Sequence, residues 1–313
     1  MDRMGPGAVL RGRYRLRRPL GRGAMGRVWQ GEDLHLQRPV AVKTVAAELL
    51  ADEEGRAYAL RRFEREAKAA AALDHANVAT VHDADITDET CWLVMQLVDG
   101  ATLGALVDER ERLDTVSAAA VAAQLCAGLS AAHAAGLVHR DLKPENVMVR
   151  RDGVVKILDF GLVKLLADSG PRLTSTGEYL GNFLYASPEL LTGEGKVDGR
   201  SDLYAVGCLL HHMLTGAPPF PEGEPLLLLD RHLRESPPAL ADRGAEDVPA
   251  ALQELVTALL AKAREDRPAS AAEAYALLGP FLPAAAPGPA ALRRFHPEDP
   301  RRPFVLPQGP YPV

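Results

Sequence analysis

The chain has 313 residues, of which 47% are apolar and 25% charged, a composition typical of a globular protein with one large domain or two smaller ones. Its formal net charge of −6 argues against nucleic-acid binding, because proteins with that function are more often basic. Cys91, Cys126 and Cys208 are too widely spaced for a zinc site or a disulfide framework, which favours buried free thiols in a reducing compartment.

Two apolar stretches have the length of a membrane span. Residues 118–138 contain Gln124, Ser130 and His133, and residues 274–292 are interrupted by glycines and prolines. Neither pattern is that of a clean membrane-spanning helix. The first residues also lack the apolar core of a signal peptide. We therefore expect a cytoplasmic protein without a transmembrane segment.

The amino-terminal third is predicted to be mostly strand and the remainder mostly helix. Strands are expected within 13–17, 28–30, 40–43, 78–84 and 91–98, with one helix at 56–73. After Asp99-Gly100, helices are expected near 116–136, 200–216 and 250–262, and a last one opens at Ser270 with a capping box to Glu273. This is an α+β pattern of two lobes joined near 96–100.

The last 31 residues, 283–313, contain nine prolines and cannot form a regular helix. The prediction is a flexible end. The alternative is that Arg293-Arg294-Phe295 or Phe304-Val305-Leu306 docks onto the adjacent lobe.

A glycine-rich segment, Gly21-Arg22-Gly23-Ala24-Met25-Gly26-Arg27-Val28, lies between two predicted strands. Glycine permits both the tight turn and the close approach of backbone to phosphate oxygens. No helix is predicted to open at Gly26, which argues against a dinucleotide-binding turn, and the GKS/T ending of a P-loop is absent. The segment therefore favours a phosphate-covering hairpin.

Lys43 ends the apolar run Val40-Ala41-Val42, and Glu66 lies on the apolar face of the predicted helix with Ala70 and Leu73. A carboxylate on an inward face requires a cation, because a buried unpaired charge is very costly. Lys43 is the predicted partner, and it would also hold phosphate.

The most specific motif is His139-Arg140-Asp141-Leu142-Lys143-Pro144-Glu145-Asn146, followed by Ile157-Leu158-Asp159-Phe160-Gly161. Asp141 can orient or accept the proton of an attacking hydroxyl, and Lys143 can neutralise a transferring phosphoryl group. Asn146 and Asp159 can ligate Mg²⁺. The order and spacing of the two motifs are those of phosphoryl-transfer enzymes.

With these motifs the chain, from about Tyr14 to Leu282, resembles the Hanks-type (eukaryotic-like) serine/threonine protein kinases of actinobacteria. The resemblance implies a bilobal fold with a β-rich N-lobe (14–95), a hinge (96–100) and a helical C-lobe (101–282). Residues 1–13 would form an N-terminal extension and residues 283–313 a proline-rich tail.

The resemblance also implies an ATP site and a set of bracing residues. Met95 resembles the gatekeeper, and Val98 would offer backbone hydrogen bonds to adenine. The implied ATP-binding residues are Leu20, Gly21, Arg22, Gly23, Ala24, Met25, Gly26, Val28, Ala41, Lys43, Met95, Gln96 and Val98. Bracing roles are implied for Asp202, beneath the catalytic loop, and for Glu189 with its partner Arg267.

Regulation is expected to involve the segment Leu173-Thr174-Ser175-Thr176. In the family, the arginine at position 140 reads a phosphate on this segment. A phosphothreonine adds about −1.5 to −2 charges and can order a loop against an arginine. We expect autophosphorylation at Thr174 and Thr176, and less so at Ser175, with homodimerisation as one route to it.

One position departs from the family pattern: Asn182 stands where a threonine usually follows the glycine at 181. This leaves open the alternative of a catalytically weak or inactive pseudokinase scaffold that binds ATP. Small-molecule kinases of the aminoglycoside type are not favoured, because they lack an activation segment ending in Pro-Glu. The leading prediction is a kinase that uses ATP and Mg²⁺, with Mn²⁺ as an alternative, on protein substrates.

Overall fold

The computed structural model describes residues 4–23, 26–45, 53–86, 91–160, 183–193, 197–221, 223–285, 295–296 and 298–305. The chain divides into two compact units. The described part of the first is 4–23, 26–45, 53–75, 79–86 and 91–98. The second contains 76–78, 99–160 and the described residues from 183 onward.

The first unit is built on a six-stranded antiparallel sheet with strand order β1-β2-β3-β4-β6-β5. The elements are β1 (Val9–Leu10), β2 (Tyr14–Gly23), β3 (Gly26–Asp33), β4 (Arg38–Val45), helix α1 (Glu53–Ala72), β5 (Val81–Ile86) and β6 (Cys91–Gln96). The strands and the helix predicted for this region are therefore present, with shifts of a few residues at their ends.

One face of this sheet carries the core of the first unit. The cluster is formed by alternate residues of neighbouring strands, as the period of two in a strand requires. Its buried members are Leu10, Tyr14, Leu16, Trp29, Val40, Val42, Trp92 and Val94. Leu10 belongs to residues 1–13, which were predicted to form an extension outside the lobe. In the structure, residues 9–10 are instead an edge strand of the sheet, paired with Arg15 and Tyr14.

The second unit is mostly helical. Its helices are α2 (Leu103–Arg110), α3 (Thr115–Ala134), α4 (Pro188–Thr192), α5 (Gly199–Thr215), α6 (Pro225–Arg234), α7 (Ala250–Leu259), α8 (Ala271–Leu278) and α9 (Arg302–Val305). Beside them lies a three-stranded sheet of β7 (Gly100–Thr102), β8 (Val147–Arg150) and β9 (Val155–Ile157), in the order β7-β8-β9. A β-rich unit followed by a mostly helical one confirms the predicted α+β class.

Helix α3 forms the centre of the second unit. Asp114 caps its start by accepting a hydrogen bond from the Ser117 N–H at 3.0 Å. The helix is long and apolar enough to span a membrane by length and composition alone, but 72% of its apolar window is buried inside the protein. Core helices of globular proteins pass the same test.

The expectation of a wholly flexible end is wrong for residues 298–305. Asp299, Arg302 and Val305 are each at most 4% exposed, and residues 302–305 form the short helix α9. The alternative prediction, docking of Phe304-Val305-Leu306, agrees with the burial of Val305. Leu306, and Arg293 and Arg294 of the other predicted docking segment, lie outside the described residues. Burial of apolar and hydrogen-bonding groups has compensated for the entropy of ordering the segment.

Candidate active site

The predicted catalytic loop lies in the second unit, between α3 and β8. It runs from His139 to Asn146 and ends in a 3₁₀ turn over Pro144–Asn146. Proline suits the start of such a turn because its φ is preset and it has no N–H that needs a partner. The Asn146 N–H donates to the Lys143 carbonyl at 2.9 Å, which closes the turn.

The side chain of Asp202, on α5, anchors the start of this loop. It accepts hydrogen bonds from the backbone N–H groups of His139 and Arg140, each at 2.9 Å. The ring Nε2 of His133 lies 2.8 Å from the same carboxylate. Asp202 is 1% exposed, so these partners offset the cost of burying its charge. Arg140 has a φ of 61°, a conformation uncommon for a residue other than glycine.

His139 ties the catalytic loop to the residues after β9. The Asp141 N–H donates to ring Nδ1 at 3.2 Å, so Nδ1 is the unprotonated nitrogen. The other nitrogen, Nε2, then donates to the Leu158 carbonyl at 2.7 Å. The ring also packs against Phe160, with ring centroids 5.0 Å apart. The His139 ring thus connects the catalytic loop to residues 158–160.

The side-chain amide of Asn146 is oriented by Asp141. Its Nδ2 donates to the Asp141 carbonyl at 2.7 Å and to the Asp141 carboxylate at 3.2 Å. The amide oxygen is therefore available as a ligand. The Leu158 N–H donates to the Asn146 carbonyl at 2.8 Å, which brings the next residue, Asp159, beside the loop.

Asn146 and Asp159 together fit a hard cation. Amide and carboxylate oxygens are the ligands that Mg²⁺ and Mn²⁺ accept. Asp159 has a φ of 52°, the kind of backbone outlier that clusters at functional sites. In the part of the chain that the structure describes, no three His, Cys, Asp or Glu side chains group to enclose a metal. Two protein oxygens supplemented by phosphate and water match the usual Mg²⁺ site.

A cleft beside the catalytic loop is bordered by the residues that precede α4. It is lined by Arg140, Asp141, Leu142, Lys143, Tyr185, Ala186, Leu190, Ser201, Asp202 and Ala205. The Tyr185 hydroxyl lies 2.8 Å from Nδ1 of His212. Burial lowers the pKa of the His212 ring. The cleft wall next to Asp141 is thereby fixed in place.

Glu189 and Arg267 form a buried, bidentate ion pair, with distances of 2.8 and 3.0 Å. The Ser201 hydroxyl donates to the same carboxylate at 2.7 Å. Burial alone would raise the pKa of Glu189, but the hydrogen bonds from Arg267 and Ser201 outweigh it and lower that pKa to about 2. The pair joins α4 to the residues after α7, as the resemblance implied.

In the first unit, Val28, Ala41, Lys43 and Met95, four of the implied ATP-binding residues, lie on one face of the sheet, whereas Gln96 pairs with Val40 on the core face. Gly21 pairs with Val28, Val28 with Lys43, and Ala41 with Met95. Directly paired residues of antiparallel strands point to the same side, and so do residues two apart on one strand. The apolar core cluster occupies the other face. The sheet therefore separates a core face from a candidate nucleotide face.

Gly26 is required by the sheet itself. A Cβ at this position would lie 1.9 Å from the Thr44 carbonyl oxygen, and its φ of 141° is one that side-chain-bearing residues rarely adopt. Leu20 and Arg22, in the same hairpin, are exposed. Val98 is buried, and the Gln96 N–H donates to the Thr80 carbonyl at 2.8 Å.

Lys43, on β4, and Glu66, on α1, have partly buried side chains. Phe63, Ala67 and Ala70 beside Glu66 are at most 5% exposed, so the carboxylate lies on the packed stripe of its helix. Of the site and regulatory residues predicted from the sequence, Ala24, Met25, Thr174, Ser175, Thr176 and Asn182 fall outside the described residues.

Two contributors to the site were missed in the sequence. His133 contacts Asp202 from 69 residues away, and Ser201 contacts Glu189 from 12 residues away. No local pattern marks either one, because each acquires its role only through a tertiary contact. Ser201 directly precedes Asp202, a residue that the resemblance did imply, but this adjacency does not predict its contact with Glu189.

Replacing Asp202 with asparagine is expected to destabilise the protein. Both carboxylate oxygens accept backbone N–H groups, so either orientation of the amide places its NH₂ against a donor. One unsatisfied buried group costs about 1–3 kcal/mol. Urea unfolding would measure the loss, with the exposed Asp230→Asn as the charge-matched control. Equal midpoints for the two variants would contradict the anchoring role.

Comparison with known proteins identifies the family. Residues 14–277 match the protein kinase domain family. The chain is 42% identical over 234 residues to a probable serine/threonine-protein kinase of Streptomyces coelicolor, covering 74% of this chain and 34% of that protein. It is 39% identical over 265 residues to PknB, a serine/threonine-protein kinase of Mycobacterium tuberculosis, covering 83% and 41%.

A third relative, the serine/threonine-protein kinase Pkn1 of Myxococcus xanthus, is 42% identical over 266 residues, which cover 83% of this chain and 37% of that protein. The matched regions thus span between 34% and 41% of the length of these relatives. The family match covers most of the chain and includes the catalytic loop and Asp159. The chain belongs to the protein kinase family, among the Hanks-type bacterial serine/threonine kinases of actinobacterial type.

Proposed function

We propose that this chain transfers the γ-phosphoryl group of ATP to serine and threonine residues of proteins. The observation that supports the proposal is the hydrogen-bonded cluster of Asp141, Asn146 and Leu158, which brings Asp141 next to Asn146 and the residue before Asp159 next to Asn146. Phosphoryl transfer needs positioning and charge stabilisation more than covalent chemistry. A loop anchored on the buried Asp202 supplies the positioning.

Each residue of the loop has a distinct task in this proposal. Asp141 orients the substrate hydroxyl and accepts its proton as the bond to phosphorus forms. Lys143 stabilises the negative charge on the transferred group. Asn146 and Asp159 would hold Mg²⁺, or Mn²⁺ in its place, which when bound neutralises charge on the phosphates.

The first unit would bind the nucleotide. Lys43 would hold phosphate oxygens while Glu66 orients its ammonium group. Support comes from the face that Lys43 shares with Val28, Ala41 and Met95, opposite the apolar core. The glycine-rich hairpin would cover the phosphates. The backbone of Gln96 and Val98 would receive the adenine.

Serine/threonine specificity is supported by the names of the relatives and by Lys143 in the catalytic loop, since tyrosine kinases usually carry a different loop. The pseudokinase alternative draws on Asn182 alone, which is outside the described residues. Localisation in the cytoplasm is part of the proposal, and the free, buried state of Cys91, Cys126 and Cys208 agrees with it.

The proposal is tested with the purified chain, γ-labelled Mg-ATP and a protein substrate rich in serine, threonine and tyrosine. We expect label on phosphoserine and phosphothreonine but not on phosphotyrosine, and no label after Mg²⁺ is chelated. Measurable ATP binding without any transfer would support the scaffold instead. Label on tyrosine would overturn the specificity.

We further propose that activity requires phosphate on Thr174 and Thr176, read by Arg140 and added by a second copy of the chain. Phosphopeptide mapping of active protein should find both sites. The double Thr→Ala variant should transfer phosphate more slowly than wild type, whereas Ser175→Ala should not. Active protein with an unmodified segment would contradict this regulation.

A further inference from the structure

The proline-rich tail returns to the second unit and fills a specific site there. Residues 298–305 contact three places on that unit: the side chain of Gln124 on α3, the turn between β8 and β9, and the capping residue Asp114. Asp299, Arg302 and Val305 are each at most 4% exposed. The segment is thus bound along most of its length.

Gln124 is a polar side chain in the middle of a buried apolar helix, and the tail completes its hydrogen bonding. Its Oε1 accepts from the Asn77 side chain at 3.0 Å and from the Val155 N–H at 2.9 Å. Its Nε2 donates to the Gly153 carbonyl at 3.2 Å and to the Pro300 carbonyl at 3.1 Å. Gln124 is 4% exposed, so removal of the tail would leave a buried donor with one bond fewer.

The turn between β8 and β9 is shaped to receive the tail. A Cβ on Gly153 would lie 2.0 Å from the Asp299 carbonyl oxygen and 3.3 Å from the Cβ of Arg302. Only glycine leaves room for this approach. The Arg302 guanidinium reaches the Arg151 carbonyl at 3.5 Å. Glycine is therefore favoured at position 153 both by the positive φ of the turn and by the close approach of the tail.

Charged groups fix the direction of the tail. Asp299 pairs with Arg301 at 2.7 Å and also accepts the Arg301 N–H at 2.9 Å, which starts the short helix α9. The guanidinium of Arg301 also lies 3.7 Å from Asp114, the residue that caps α3. The tail thus contacts both the start of α3 and the hairpin beside it.

The hairpin under the tail is the one whose two ends carry the proposed metal ligands. Strand β8 begins directly after Asn146, and strand β9 ends two residues before Asp159. We propose that residues 298–305 form a tail clamp, an intramolecular docking segment that holds the β8–β9 turn and so positions Asn146 and Asp159 for metal binding. This inference rests on the proposed function, because it assigns the clamp a role in the same metal site.

The first test compares two glycine variants of the full chain. Gly153→Ala pushes a methyl group into the tail, whereas Gly244→Ala, at a similar φ of 77° against 83°, has nothing within 4 Å. Both changes carry the same kind of backbone penalty. We expect amides of residues 298–305 to exchange hydrogen at least about tenfold faster in Gly153→Ala only.

A second pair of variants tests the tail itself and leaves the sequence of the β8–β9 hairpin unchanged. Val305→Asp places a charge at an apolar position that is 4% exposed, and Leu226→Asp makes the same kind of change at an apolar position that is 67% exposed. We expect Val305→Asp alone to release the tail and to speed exchange in residues 139–160. The Mg²⁺ concentration for half-maximal ATP binding should rise about tenfold in both clamp-breaking variants, as for other groups that orient metal ligands.

The outcomes separate the clamp from the proposed function. Tail release with unchanged exchange in 139–160 and unchanged Mg²⁺ dependence would overturn the positioning role. Tail amides that exchange in the wild type as fast as in a free peptide would overturn docking itself. Absence of phosphoryl transfer in the wild type would contradict the proposed function. The rate of amide hydrogen exchange in residues 139–160 would still show whether the tail clamp holds the β8–β9 hairpin.

Discussion

Asp141→Asn is expected to lower the rate of phosphoryl transfer by about 10²–10⁴-fold, the usual contribution of a general base. Asparagine has nearly the shape of aspartate, and its amide oxygen can still accept the Asn146 Nδ2 that lies 3.2 Å from the present carboxylate. The loop should therefore keep its conformation. What is lost is the ability to take the proton of the substrate hydroxyl.

The measurement is the initial rate of label transfer at saturating Mg-ATP, together with the affinity for Mg-ATP. We expect the affinity to change little, because Asp141 is not one of the proposed metal ligands. Asp242→Asn, an equal charge change at an exposed turn of the same unit, is the matched control. A rate within tenfold of wild type in Asp141→Asn would show that another group accepts the proton.

The catalytic loop could be recognised in the sequence because its chemistry is contained in eight consecutive residues. The helices that surround it were predicted where local signals exist. Helix α3 was expected at 116–136 and runs over Thr115–Ala134, and α5 was expected at 200–216 and runs over Gly199–Thr215. Asp114 and Gly216 supply the capping signals at opposite ends of these two helices.

Other elements depend on tertiary contacts and were misplaced or missed. The helix predicted at 250–262 ends at Leu259, and the carbonyls of Ala261 and Lys262 beyond its end accept hydrogen bonds from the Arg267 side chain. Helices α2 and α6 were not predicted. They have only 8 and 10 residues, fewer than the 11–18 residues over which a helical period is assessed.

The docking of the tail could not be predicted from its amino-acid composition. Nine prolines correctly exclude regular helix over most of the segment, but they do not exclude a bound conformation. The partners of the tail, Gln124 and Gly153, lie 176 and 146 residues before Pro300 and Asp299, respectively. In the sequence, Gln124 reads only as a polar interruption of an apolar helix. Its role appears once the chain is folded.

Arg267→Ala is expected to lower the free energy of unfolding by about 3–5 kcal/mol, the usual cost of removing one partner from a buried ion pair. The Arg267 side chain is 0% exposed and donates to Glu189, Ala261, Arg200 and Lys262. Loss of the Arg267 side chain leaves the Glu189 carboxylate buried. Of the two side chains described as hydrogen-bonded to this carboxylate, the Ser201 hydroxyl would remain. Urea unfolding at neutral pH would measure the effect. Arg234→Ala, which breaks an exposed pair with Asp230, should cost less than about 1 kcal/mol.

The pH dependence of the difference in unfolding free energy between Arg267→Ala and wild type shows whether the ion pair with Glu189 accounts for it. The pKa of Glu189 is about 2 in the folded protein against an ordinary 4.5, so the ion pair stabilises the wild type fully above pH 4.5. That stabilisation is lost as the pH falls from 4.5 towards 2, because the carboxylate becomes protonated. In Arg267→Ala the guanidinium that depresses the pKa is gone, so the gap in unfolding free energy between variant and wild type should narrow over this window. A gap that stays constant down to pH 2 would assign the loss to packing of the guanidinium over Tyr204, whose ring centroid lies 5.0 Å away, and not to the ion pair.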